Sequence, residues 1–185
     1  MYVGHVGIAL GLRGARSAPP LWLLVVASQL PDWGDALLQL ASNRTADAGW
    51  SPHGFPLVGL GALGAGLIGA RITRSWRGGA LAALACVSHW AADYLTGYKP
   101  TWPGGPVDVG LGWYGHATRD FLLESGIAFA GWVLWRRSLP AFAPAGPTRG
   151  QVWWDAGLAW GMLGVLFTLQ FAVDVVMSHH TMGLP

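Results

Sequence analysis

Long apolar stretches interrupted by a few polar positions set the pattern of this chain. Residues 21–40, 55–70, 78–98 and 156–178 are long enough, or nearly so, to cross a bilayer as helices, which takes about 20 apolar residues. A fifth stretch, 120–135, reaches spanning length when extended back through His116, Ala117 and Thr118. Residues 2–12 are too few to cross and predict a half-length helix, tolerable at membrane depth only when packed among the others. The pattern predicts an all-α, polytopic transmembrane helical bundle with about five spanning helices plus a short N-terminal half-helix. Residues 1–185 then form a single integral membrane domain, with a further C-terminal transmembrane helix in 150–185.

The polar exceptions fall at a shared depth. Helical rise is about 1.5 Å per residue, so each position can be counted from the inner end of its span. On that count Asp32 and His89 lie about 16 Å in, Asp35 and Asp93 about 21–22 Å, Glu124 about 18 Å and His5 about 12 Å. His53 falls at the outer mouth, just before Pro56, which suits the first turn of a helix. His89 and Asp93 stand at i and i+4, and Asp32 and Asp35 at i and i+3, so each pair shares one helix face.

Composition supports the membrane reading. Hydrophobic residues make up 52% of the 185 positions and charged residues only 11%, against about a quarter in soluble domains. Mean hydropathy is +0.39; the 28 glycines and 12 tryptophans lower it without making a segment polar. A net charge of +2 with no basic stripe argues against a nucleic-acid partner. Cys86 is the lone cysteine, which removes intrachain disulfides and cysteine-based zinc knuckles. The N-terminus lacks the basic start of a secretory signal and reads as retained structure.

Basic residues set a direction. Arg13, Arg16, Arg71, Arg74, Arg77, Arg136, Arg137 and Arg149 fall on one side of alternating spans, and Arg44, Lys99 and Arg119 on the other. The positive-inside rule makes the first side cytoplasmic, so the polar layer opens to the non-cytoplasmic side.

An ionised side chain at the centre of a spanning helix costs about 2.5–3.5 kcal/mol. Asp32, Asp35, Asp93 and Glu124 therefore need partners, and their spans hold no Lys or Arg within the apolar part. Histidines, Lys99 or Arg119 reaching inward, or a divalent metal ion are the available cations. A metal held by imidazole and carboxylate satisfies both residue types at once. Blander readings exist beside this one. Asp32 after Pro31 could shape a kink, and Asp35 could be protonated. Glu124 could be an outer partner to a ligand histidine, and His116 and Asp120 straddle a helix start where capping is ordinary. His179, His180 and Asp155 read as solvated, Asp174 stands near a boundary, and the glycine-rich runs read as helix-packing faces.

Four motifs, "VGHVGIALGL", "ASQLPDWGD", "SPHGFPLVG" and "VSHWAADYLTGYKPTWPGGPVDVGLGWY", resemble in order and spacing the bacterial membrane-bound metal-dependent hydrolase family over roughly residues 1–135. "SHWxxDxxT" followed by "WPGGP" and "GLGWY" is the most specific part. That family is distantly similar to the zinc-dependent phospholipase C and P1 nuclease group of helical phosphodiesterases. The resemblance implies His5, Asp32, His53, His89 and Asp93 as metal ligands, with Asp35 beside them, and zinc as the metal. Glu124 matches an acid that follows the segment resembling "GLGWY". The chain departs from the family where Gly97 replaces a frequent histidine, a place His116 could fill, and where the usual Ser-His-Ser-Leu reads "SPHGFP".

The function expected is a metal-dependent hydrolase of the bacterial inner membrane. Metal-activated water would attack an ester or phosphoester, with a lipid-like substrate entering from the surrounding membrane lipids. Asp35, if not a ligand, would be the general base, and Glu124 the second catalytic acid. A transporter or ion-conducting protein is the competing reading, since intramembrane acids and histidines also relay protons and cations. A non-catalytic membrane scaffold is the third.

Overall fold

The computed structural model describes residues 3–15, 18–42, 51–99, 101–102, 109–113, 117–138, 157, 160–172 and 175. Within them the chain is all helical: α1 (Val3–Arg13), α2 (Leu21–Ser42), α3 (Phe55–Thr73), α4 (Trp76–Thr96) and α5 (Ala117–Ser138), then α6 (Trp160–Ala172). The extended pairing among these residues is one isolated bridge, Lys99 to Val109. His116, Asp155, Asp174, His179 and His180 lie outside the described residues, as does much of 150–185.

Local chemistry fixes the helix ends. Pro56 opens α3 from Gly54, where a missing amide hydrogen costs nothing. Arg74 closes the same helix in the left-handed region at φ 51°. Ser75 then starts α4 at once, its side chain accepting the Arg77 amide at 3.3 Å. This tight reversal makes α3 and α4 an antiparallel hairpin. Small residues let the two backbones approach: a Cβ on Gly69 would stand 2.8 Å from the Gly78 carbonyl oxygen.

The half-length N-terminal helix is present as α1, and it lies between two groups of helices. On one side Ala9 joins Leu23, Leu24, Ala27, Ala62, Ala65, Ala82, Ala85 and Cys86 in a core shared with α2, α3 and α4. On the other, Val3 and Leu10 pack with Ala128, Trp132, Leu163 and Leu166 of α5 and α6. Helices α1 and α5 run parallel at close range. A Cβ on Gly7 would fall 2.5 Å from Ala128 Cα, and one on Gly131 would collide with the Gly7 carbonyl. Both positions need glycine because backbone fills the space.

The spans divide differently from the expectation of about five. Among the described residues, α3 alone is both long and apolar enough to cross a membrane. Helices α2, α4 and α5, with 22, 21 and 22 residues, have the length for about 30 Å. Their apolar character is diluted by the polar residues they turn inward, including Asp32, His89, Asp93 and Glu124. Helix α6 is short in its described part.

Candidate metal centre

Four segments bring their polar side chains to the end of the α1–α4 core. Helix α4 presents His89 and Asp93 from one face, as the four-residue spacing requires, with His89 Nε2 3.2 Å from Asp93 Oδ2. Helix α2 contributes Asp32, whose Oδ1 stands 3.5 Å from His89 Nε2 and 3.2 Å from His53 Nε2. His53 comes from the short segment ahead of α3. That segment is tied down by the Gly54 amide on the Ser51 carbonyl at 2.7 Å and by Phe55 N–H on the Thr101 carbonyl at 2.9 Å. His53 Nε2 is also 3.3 Å from Asp93 Oδ2. Asp32, His53, His89 and Asp93 each offer one donor atom, and those atoms lie within 4.8 Å of one another.

The outer ring nitrogens decide which way the inner ones face. His89 Nδ1 is 2.7 Å from the Ser28 carbonyl oxygen. A carbonyl only accepts, so Nδ1 carries the hydrogen and Nε2 of the neutral ring turns a lone pair inward. Pro31 lies within α2 and deletes the amide that would serve the Ala27 carbonyl; the Ser28 carbonyl is its neighbour. His53 Nδ1 is 2.6 Å from Asp35 Oδ2, a carboxylate acceptor. This is the carboxylate–histidine pairing that orients metal-binding imidazoles. The two Nε2 atoms then stand 3.1 Å apart, each with its ring hydrogen committed on the far side.

Two inward lone pairs and two carboxylate oxygens at such separations repel unless positive charge lies among them. The acids create that demand. Burial opposes a charged His53, but the carboxylates of Asp32, Asp35 and Asp93 more than offset it and lift the imidazole pKa to about 10. The same field that draws a proton draws a metal cation. The spacing suits one: ligand bonds of about 2.0–2.1 Å in tetrahedral array place donor atoms about 3.3–3.4 Å apart. The histidine–histidine and histidine–carboxylate edges among these donors run from 3.1 to 3.5 Å. Asp32 Oδ2, buried and without a hydrogen-bond partner, is a further oxygen such an ion would satisfy.

The remaining expected residues take distinct places. His5 is fully buried, stacks on His89 with ring centroids 3.8 Å apart, and sets Nε2 3.3 Å from Asp93 Oδ1. It thus meets the oxygen of Asp93 other than the one facing His53 and His89. Asp35 stands behind His53, on the outer nitrogen. Glu124 Oε2 accepts the amides of Val3 and Gly4 at 2.9 and 3.0 Å. It caps α1, the helix that carries His5, and is not among the four clustered donors.

Lys99 reaches the cluster, with Nζ 2.9 Å from Asp93 Oδ2. The side chains of His89 and Asp93 are fully covered, whereas Asp32 is 12% exposed, Lys99 23% and Asp35 33%. Asp35, Lys99 and, less so, Asp32 are thus the partly exposed members of the group. The Ser28 carbonyl was not legible in the sequence, because a backbone acceptor leaves no mark on residue type. Comparison of the chain with protein-family models, with curated proteins and with solved structures returns no match.

Proposed function

We propose that this protein is a membrane-embedded metal-dependent hydrolase in which Asp32, His53, His89 and Asp93 hold a divalent cation, zinc by donor type. The observation that carries the proposal is the pair of Nε2 atoms 3.1 Å apart, both backed by acceptors at Nδ1 and flanked by the carboxylates of Asp32 and Asp93. A bound divalent ion supplies an acidified water and a polarised ester or phosphoester oxygen. The chain's own residues do the rest. Asp35 and the Ser28 carbonyl hold the imidazoles in the binding tautomer. His5 packs against His89 and Asp93, keeping water from the buried side. The exposed side, between Asp35 and Lys99, is where substrate enters.

Membrane embedding is supported by buried polar residues together with an exposed apolar helix face. His5, His89, Asp93, Thr96, Glu124 and Gln170 are buried, while Leu60, Leu63, Leu67, Ile68 and Ile72 line an exposed face of α3. An apolar exterior of that kind fits acyl chains, and a lipid-like ester would reach the centre from them. The resemblance of the histidine and aspartate motifs to bacterial inner-membrane hydrolases points the same way.

The Lys99–Asp93 ion pair favours a second reading, a cation or proton relay without hydrolysis. The test is metal content and hydrolysis of bis(p-nitrophenyl) phosphate and p-nitrophenyl butyrate by detergent-purified protein. The hydrolase reading expects stoichiometric metal, turnover of one ester class, and loss of both in His89→Ala. Full metal loading with no turnover, together with ion flux in liposomes, would establish the relay instead.

A further inference from the structure

We infer that Lys99 makes this centre a site for an anionic substrate, trading metal affinity for oxyanion affinity. The inference rests on the metal-centre reading and adds a substrate class to it.

Lys99 is held where its charge acts on the centre. Its backbone pairs both ways with Val109, N–H to carbonyl at 2.9 Å in each direction, directly beyond the end of α4. The Leu111 amide closes the same turn onto the Tyr94 carbonyl at 2.8 Å. From this clamp Nζ reaches 2.9 Å from Asp93 Oδ2, the oxygen that also faces His53 and His89 at 3.3 and 3.2 Å. A carboxylate oxygen has two lone pairs, so one ammonium and one further cation can share it. The side chain is 23% exposed while Asp93 is fully covered. Lys99 is thus the partly exposed partner of a covered carboxylate, a cation that an approaching anion can meet beside the buried donors.

Two consequences of opposite sign follow from that one placement. A fixed positive charge beside the donors opposes a divalent cation, so it weakens metal binding. The same charge attracts an anionic oxygen approaching from the open side, so it strengthens binding of a phosphate or phosphonate over a neutral ester. A charge-assisted contact of this type is worth about tenfold in binding. A lysine that merely supported the fold would move both affinities in the same direction when removed.

The experiment uses full-length protein in detergent, loaded with cobalt(II). Metal affinity is read by competition with a chromophoric chelator, and anion affinity from the cobalt absorption bands on titration with methylphosphonate. Lys99→Met is expected to bind cobalt more tightly and methylphosphonate about tenfold more weakly. Lys99→Arg keeps the wild-type pattern, and the neutral dimethyl ester of methylphosphonate gives no difference between wild type and Lys99→Met. Unchanged methylphosphonate binding in Lys99→Met, or a fall in both affinities together, overturns the inference while leaving the metal centre standing. Failure of wild type and variant alike to take up cobalt overturns the metal centre itself, and this inference with it.

Discussion

Asp35→Asn separates an orienting role from direct ligation. The carboxylate meets His53 at Nδ1, 2.6 Å away, on the side of the ring opposite the clustered donors. Replacing it with an amide of the same shape removes the charge and leaves His53 free to choose its tautomer. Loss of such an outer partner costs about 10–100-fold in metal affinity. Asp35 is 33% exposed, so solvent shares in its effect and the lower part of that range applies, about 10–30-fold or about 1.4–2 kcal/mol. The assay is chelator competition on wild type, Asp35→Asn, His53→Ala and the double variant. In the His53→Ala background Asp35→Asn should change affinity by less than about twofold, because its only route to the metal has gone. Additive losses in the double variant, or a single Asp35→Asn loss as complete as that of Asp32→Ala, would refute the orienting role and make Asp35 a ligand.

Other substitutions probe separate links of the argument. Glu124→Gln removes the charged cap of α1 and should lower stability by about 1–2 kcal/mol, read by denaturant unfolding in detergent; unchanged stability would mean the two amide contacts carry no weight. Gly131→Leu drives a side chain into the Gly7 carbonyl and should cost about 3 kcal/mol or more, seen as loss of monodisperse protein on size exclusion. Leu63→Asp and Leu67→Asp on the outer face of α3 should each cost about 2.5–3.5 kcal/mol of membrane insertion, measured with a glycosylation reporter; full insertion of both would place that face away from lipid.

The clustering of the site was legible in the sequence because helical spacing and depth are arithmetic. His89 and Asp93 had to share a face, and His5 and Asp32 counted to their layer, whereas His53, placed at the outer mouth, joined the set through the motif resemblance; the fold brings all five together. What each residue does there was less legible. Spacing places Asp35 near the centre but cannot say which nitrogen of His53 it meets. Glu124 was legible as a buried acid, yet its partners are amides 120 and 121 residues away, a pairing set by the parallel contact of α1 and α5. Lys99 was one of several candidate cations until the bridge to Val109 fixed where its chain begins. Of the expected five or so spans, α3 alone among the described residues pairs length with apolar character, since α2, α4 and α5 carry inward polar residues over their spanning length.

Zinc K-edge X-ray absorption on detergent-purified protein tests the shared-cation claim most directly. The account predicts about one zinc per chain with a nitrogen and oxygen shell near 2.0–2.1 Å, outer-shell scattering from imidazole rings, and loss of the metal in Asp93→Ala. A sulfur shell, metal retained undiminished in Asp93→Ala, or no metal in the wild type would contradict it.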